Sequence, residues 1–349
     1  MISENLDYES LARRYPQFFR LRRAAEVATR GGLEPLYVFE MCDAGAAQDL
    51  PVLGLFAGVH GIEAIGVKIL HRFLDHVLEQ TDWNENVRLL LKRVRVVGAP
   101  LVNPAGYVAG TRCNGNGVDL MRNAPVESAA SYPFVGGQRF SNLLPYFRGN
   151  GPFEKENEAV LELVREVLFE APFAVSLDIH SGFGMEDFLW TPWARAKGFP
   201  PHWAEYTRFS EVLDRALKHH IYRFEPQSVN YCTSGDLWDY LFAEANARGD
   251  GRLFLPLTLE VGSWVWLKKS PRSAFRLRSF FNPMQPHRER RVLRRHLPLL
   301  NLLVQAVADY ERVFLGRVQA GARAEVGPGA SASPGDTPQM PVTPLRRVR

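Results

Sequence analysis

The sequence predicts an α/β protein, a mostly parallel or mixed sheet with helices on both faces. Two observations carry this. Short apolar runs alternate with stretches of helical period. Three of those runs lead into isolated His or Glu residues, and open α/β sheets place their ligands beyond the carboxyl ends of the strands.

In chain order, residues 6–26 read as a surface helix feeding a strand at 35–41 (PLYVFEM). Residues 51–59 (PVLGLFAGV) have the continuous apolar character of a strand covered on both faces, and the run stops at His60. A helix follows over about 64–80, where Ile65, Ile69 and Phe73 set the period. Residues 89–97 (LLLKRVRVV) suggest another strand. Residues 110–125 (GTRCNGNGVDLMRNAP) have no period and read as loop. Residues 154–170 form an amphipathic helix, and 174–178 (AVSLD) a buried strand leading to His180. Helices are predicted over 203–220 and 234–247. Residues 253–261 (LFLPLTLEV) form a strand carrying Glu260, and a long basic-faced helix spans 286–313. Residues 1–313 are thus assigned to one catalytic domain. From about 320 the chain is rich in Gly, Ala, Ser and Pro, with too few large apolar residues to offset the cost of ordering, and 320–349 read as a flexible tail.

Composition narrows the function classes. A hydrophobic fraction of 46% and a charged fraction of 23% are ordinary globular usage. Net charge is only +4. The basic run at 288–295 (RERRVLRR) reads as a solvated helix face, because no nucleic-acid recognition motif accompanies it. The three cysteines, Cys42, Cys113 and Cys232, are far apart, which suggests neither a disulfide framework nor a thiolate zinc site. The start of the sequence is polar and no run of 18 apolar residues occurs. A cytoplasmic protein is expected, with no membrane and no nucleic-acid partner.

The chemistry concentrates in His60, Glu63, His180 and Glu260. Two imidazoles and one carboxylate suit a catalytic zinc, leaving one tetrahedral position for water. His-x-x-Glu across a strand-to-helix turn lets both side chains reach one point, with Gly61 allowing a tight backbone. Asp178 is the nearest carboxylate able to orient a ligating imidazole. Glu260 stands alone among apolar residues, where a carboxylate is costly without a partner or a task; a general base is such a task. Arg112 is placed to donate to a developing oxyanion, and Arg122 to clamp a carboxylate with its planar fork. Tyr231, just before a helix capped by Ser234, is a candidate for closing over substrate.

These segments together resemble the zinc carboxypeptidase family. HGIE fits its His-x-x-Glu, and NPAGY with TRCNGNGVDLMRN resembles its arginine-bearing loop. DIHS holds a third ligand, YCTSGDLWD resembles the stretch of the mobile tyrosine, and LTLEVG the segment of the general base. The resemblance covers roughly residues 30–300. It implies a twisted sheet of about eight strands, mixed parallel and antiparallel, and one zinc ion held by His60, Glu63 and His180. It also implies Glu260 as general base, Arg112 at the oxyanion, Tyr231 as the closing tyrosine and Arg122 on the substrate's terminal carboxylate, with Asn123 and Met121 beside it.

Met121 departs from the family pattern, which has Asn there. A thioether cannot supply an amide donor. A lost neutral donor to a charged group costs about 1.5–3 kcal/mol if nothing replaces it. Either Arg122 clamps alone or the substrate is not a standard peptide C-terminus. The expected activity is hydrolysis of the C-terminal amide bond of peptides or peptide-like substrates. The alternative is an amidohydrolase acting on cell-wall peptides, acylated amino acids or another non-standard amide. Activity is expected to fall at low pH, as Glu260 gains a proton and the ligands release metal. Asp236, Trp190, Trp193, Trp264 and Trp266 are pocket-wall candidates that fit fold packing equally well.

Overall fold

The computed structural model describes residues 6–47, 49–130, 132, 135–151, 153–269 and 278–317. The described part up to Gly316 is one compact unit. The tail assigned to 320–349 lies outside the described residues.

Among the described residues, eight strands form one sheet: β1 (Phe19–Thr29), β2 (Gly32–Met41), β3 (Val52–Ala57), β4 (Arg95–Ala99), β5 (Phe173–Ser181), β6 (Asp187–Thr191), β7 (Tyr222–Pro226) and β8 (Leu253–Val261). Their order is β1-β2-β4-β3-β5-β8-β6-β7. The core quartet β4-β3-β5-β8 is parallel, whereas β1, β2 and β6 join through antiparallel pairs, so the sheet is mixed. Every residue of β3 and β5 is buried, as continuous apolar runs require. Helices Ala64–Gln80 and Pro286–Ala308 contribute to the core cluster that includes Leu53, Leu55 and Leu177. Helices Lys155–Leu163 and Leu237–Arg248 contribute to a second cluster with Val52, Phe56 and Ala174. Residues that alternate along β3 and β5 thus fall into different clusters, because successive side chains point to opposite faces.

The first segment differs from the sequence reading. The helix ends at Arg14, and residues Phe19–Thr29 form β1. Its Arg- and Ala-rich composition favours a helix, but pairing with β2 over a tight turn at Arg30–Gly31 overrides that propensity. Residues 89–97 divide into the end of helix Glu85–Leu91 and the start of β4. The short strands β6 and β7 escape notice because each is five residues long and β7 is only partly buried. The helix predicted over 286–313 breaks at Asp309, between Ala308 and Tyr310.

Candidate active site

The carboxyl ends of β3, β5 and β8 lie side by side, and the candidate residues gather there. His60 follows β3 by three residues. Glu63 is the N-cap of helix Ala64–Gln80, but its side chain makes no capping bond, so the carboxylate is free to point elsewhere. Gly61 is required by close approach. A Cβ there would lie 2.0 Å from the backbone of Gly106. His180 comes from β5 and Glu260 from β8, and these two residues are direct neighbours in the parallel register.

Ligand atoms of His60, Glu63 and His180 lie within 4.8 Å of one another, and all three residues are buried. His60 Nδ1 is 2.9 Å from Glu63 Oε1 and 3.1 Å from His180 Nδ1, which is itself 3.1 Å from Glu63 Oε2. The opposite ring nitrogens face carboxylates. His60 Nε2 is 3.2 Å from Asp119 Oδ1, and His180 Nε2 is 2.8 Å from Asp178 Oδ2. A proton on each Nε2 serves these aspartates and leaves the Nδ1 lone pairs converging with a carboxylate on one point. That arrangement is repulsive unless a cation sits among them. Tetrahedral zinc with Zn–N near 2.0–2.1 Å sets its ligand atoms roughly 3.3 Å apart, close to the spacing seen. The donor set therefore fits a single zinc ion.

Charges around this point are tightly arranged. Burial alone would raise the Glu63 carboxyl, but His60 and His180 hold it well below the usual range. Burial likewise opposes a charge on His180, yet Asp178 and Glu63 raise its pKa well above the ordinary value. Asp178 Oδ2 also accepts a hydrogen bond from Trp238 Nε1 (2.8 Å), which fixes the carboxylate that fixes His180. Ser181 N–H donates to Glu63 Oε2 (3.0 Å). Arg112 donates from Nε to Asp119 Oδ2 (2.7 Å), and its NH1 lies 3.5 Å from Glu63 Oε1. Asp119 thus ties His60 to Arg112. Sequence reading missed this residue, although a carboxylate between two arginines in a loop with buried neighbours is a usable signal.

Glu260 is 7% exposed, and its Oε1 accepts from Phe183 N–H (2.9 Å). Burial, followed by the charge of Glu63, pushes its pKa up to about 8. A neighbouring dication counters that rise.

A cavity of about 530 Å³ opens over these groups. His60, Glu63, His180, Arg112, Arg122, Met121, Tyr231 and Glu260 all line it. Tyr231 packs its ring on Phe183 and Trp190, with centroids 5.3 and 5.9 Å away. Burial raises the pKa of its phenol, which stays protonated. Arg122 donates from NH1 to its neighbour's carbonyl, Met121 O (3.1 Å). Gly235 approaches this arginine so closely that a Cβ would lie 1.8 Å from Arg122 O, and its φ of +81° is left-handed.

Asn123 is the exception. Its side chain donates to Arg148 O (3.0 Å) and accepts from Glu154 N–H (2.8 Å) and from Asn157 Nδ2 (3.2 Å), and it does not line the cavity. The structure uses it to hold the loop rather than to face substrate. Among the wall candidates, Asp236 and Trp190 line the cavity. Asp236 also caps helix Leu237–Arg248 by accepting from Asp239 N–H. Trp264 packs on Phe183 from outside, Trp193 packs on Phe242, and Trp266 lines a separate cavity. Tyr146 is an unanticipated part of the wall, coming from a loop with no periodic signal.

Comparison with known proteins agrees with this geometry. Residues 8–263 match the family model described as zinc carboxypeptidase. Carboxypeptidase SOL1 of Arabidopsis thaliana is 24% identical over 157 residues, an alignment that spans 45% of this chain and only 28% of the plant protein. Carboxypeptidase A from Helicoverpa armigera superposes with a TM-score of 0.64 at 19% identity, over 86% of this chain and 71% of that one. Bovine thrombin-activatable fibrinolysis inhibitor, solved with tick carboxypeptidase inhibitor, gives 0.63 at 17% identity, over 87% and 95%. At such identities these structures establish the fold.

Proposed function

The chain belongs to the zinc carboxypeptidase family, and from that premise we propose that it hydrolyses the C-terminal amide bond of peptides or peptide-like substrates. The observation that carries the reading is the convergence of His60, Glu63 and His180, with the separate carboxylate of Glu260 in the same cavity.

His60, Glu63 and His180 would hold the zinc ion, which would supply Lewis acidity for the scissile carbonyl and a lowered pKa for water. Glu260 takes a proton from the attacking water on Oε2, the oxygen not engaged by Phe183 N–H, and passes it to the departing amine nitrogen. Arg112 remains cationic: burial opposes the charge, but Asp119 and Glu63 outweigh it. Its guanidinium stabilises negative charge developing on the carbonyl oxygen. Arg122 binds the terminal carboxylate, and Tyr231, which lines the same cavity, donates a hydrogen bond to the substrate.

Among the described residues, no helix is long and apolar enough to cross a membrane. The free thiols of Cys42, Cys113 and Cys232 support the reading of a cytoplasmic setting. The test pairs metal analysis with hydrolysis of N-acyl dipeptides and their C-terminal amides. One equivalent of zinc and a strong preference for the free carboxylate are expected. Equal cleavage of both forms would favour the second reading, an amidohydrolase for a non-standard amide, which Met121 in the cavity wall favours.

A further inference from the structure

The wall around Arg122 poses a chemical problem that the loop at 138–148 answers. Met121 and Arg122 both line the cavity, and the methionine has no hydrogen to donate to a carboxylate. Facing the same space is Tyr146. Its ring centroid lies 5.1 Å from the Arg112 guanidinium carbon and 5.8 Å from that of Arg122. The residue is half-buried, and its hydroxyl makes no hydrogen bond among the described residues. A phenol set beside two guanidiniums in a cavity suits an anion, since all three can donate to it.

Tyr146 is also held in place at a conformational cost. Its φ of +62° is left-handed, a region that non-glycine residues seldom occupy. The surrounding bonds enforce it. Tyr146 O accepts from Gln138 N–H (3.0 Å), and Phe147 O accepts from Asp119 N–H (2.8 Å). Arg148 donates from Nε to Arg122 O (2.9 Å). The strap is thereby fastened to the two residues that orient His60 and bind the carboxylate. Strain retained beside a reactive centre, and enforced by its surroundings, points to a role there.

We propose that Tyr146 donates its phenol hydrogen to the substrate's terminal carboxylate beside Arg122, supplying the neutral donor that Met121 cannot. This rests on the carboxypeptidase reading and makes Tyr146 a specificity-determining residue. It removes the conflict posed by Met121, because the chain then reads a free C-terminus with an arginine and a phenol.

Tyr146→Phe keeps the ring packing and deletes only the donor. On the zinc-loaded protein, calorimetry would compare an N-acyl amino acid with its carboxamide, and steady-state kinetics would compare an N-acyl dipeptide with its C-terminal amide. The substitution is expected to raise Kd and KM for the carboxylate forms about tenfold, with little change in kcat and none for the amide forms. Adding Met121→Asn to Tyr146→Phe is expected to recover most of the lost affinity. Equal weakening of carboxylate and amide, or no weakening of either, overturns the proposal. Zinc-loaded wild-type protein that cleaves neither dipeptide overturns the carboxypeptidase reading instead, while the calorimetric comparison still decides whether Tyr146 recognises a carboxylate.

Discussion

Two buried histidine–aspartate pairs, one on β5 and one between β6 and helix Pro286–Ala308, have opposite fates. On β5, Asp178 backs His180, whose other nitrogen faces His60 and Glu63 across the cavity. Near β6, Asp187 lies 3.4 Å from Nε2 of His296, whose Nδ1 is 3.0 Å from the Tyr222 hydroxyl. His180 is pushed toward the charged form by Asp178 and Glu63 in spite of burial, while burial, followed by the charge of Arg295, drives His296 down to about 3. Composition does not separate the pairs. What separates them is the aspartate: Asp178 Oδ2 accepts a 2.8 Å hydrogen bond from His180, whereas Asp187 Oδ2 is taken by Arg295 (3.1 Å) and His296 Nε2 makes no hydrogen bond among the described residues.

The contrast is easiest to break by deletion. His180→Ala is expected to abolish stoichiometric zinc, measured by atomic emission, and to lower kcat/KM by at least about 10³-fold. His296→Ala should keep its zinc and lose roughly 2–4 kcal/mol of stability in urea. Glu260→Gln comes next. It should retain zinc but reduce kcat about 10²–10⁴-fold and remove the acidic limb of the pH–rate profile. Loss of zinc in that variant would mean that Glu260 is a ligand. The aspartates sharpen the comparison further. Asp178→Asn should weaken zinc affinity about 10–100-fold in a chelator competition, whereas Asp187→Asn should leave it unchanged.

The smallest effect is a pH slope. His296 has a folded pKa of about 3 against an ordinary 6.5. Below pH 6.5 the unfolded chain takes up a proton that the folded protein refuses. Stability from this residue is therefore intact above that pH and declines toward pH 3, by roughly 1 kcal/mol per pH unit. His296→Gln should flatten the urea-measured slope by that amount over this range, and an unchanged slope would show that other groups govern it.

The sequence makes the parallel core legible because β3, β5 and β8 are buried on both faces and read as apolar runs. It hides β1, whose exposed, charged residues satisfy a helix until β2 pairs with them. The metal triad is legible for a related reason: each ligand interrupts an apolar segment or opens a turn. Asp119 leaves only the trace of a carboxylate between two arginines, and Tyr146 and the loop-holding bonds of Asn123 leave none, because the loops that carry them have no period. What they touch is set by contacts across long separations, such as Asp119 with Phe147 and Asn123 with Arg148. The separation of His180 from His296 is hidden too, since both precede or follow ordinary apolar neighbours.

The side-by-side placement of His180 and Glu260 on β5 and β8 has a consequence for how this protein can be silenced. The gap between a ligand and the proton acceptor is inherited from the backbone ladder, whose strands lie about 4.8 Å apart. Adding one residue within β8 ahead of Glu260 would throw the strand out of phase and turn the carboxylate to the far side of the sheet. Every recognisable motif would survive such a change, and the chain would still read as a hydrolase while lacking its base.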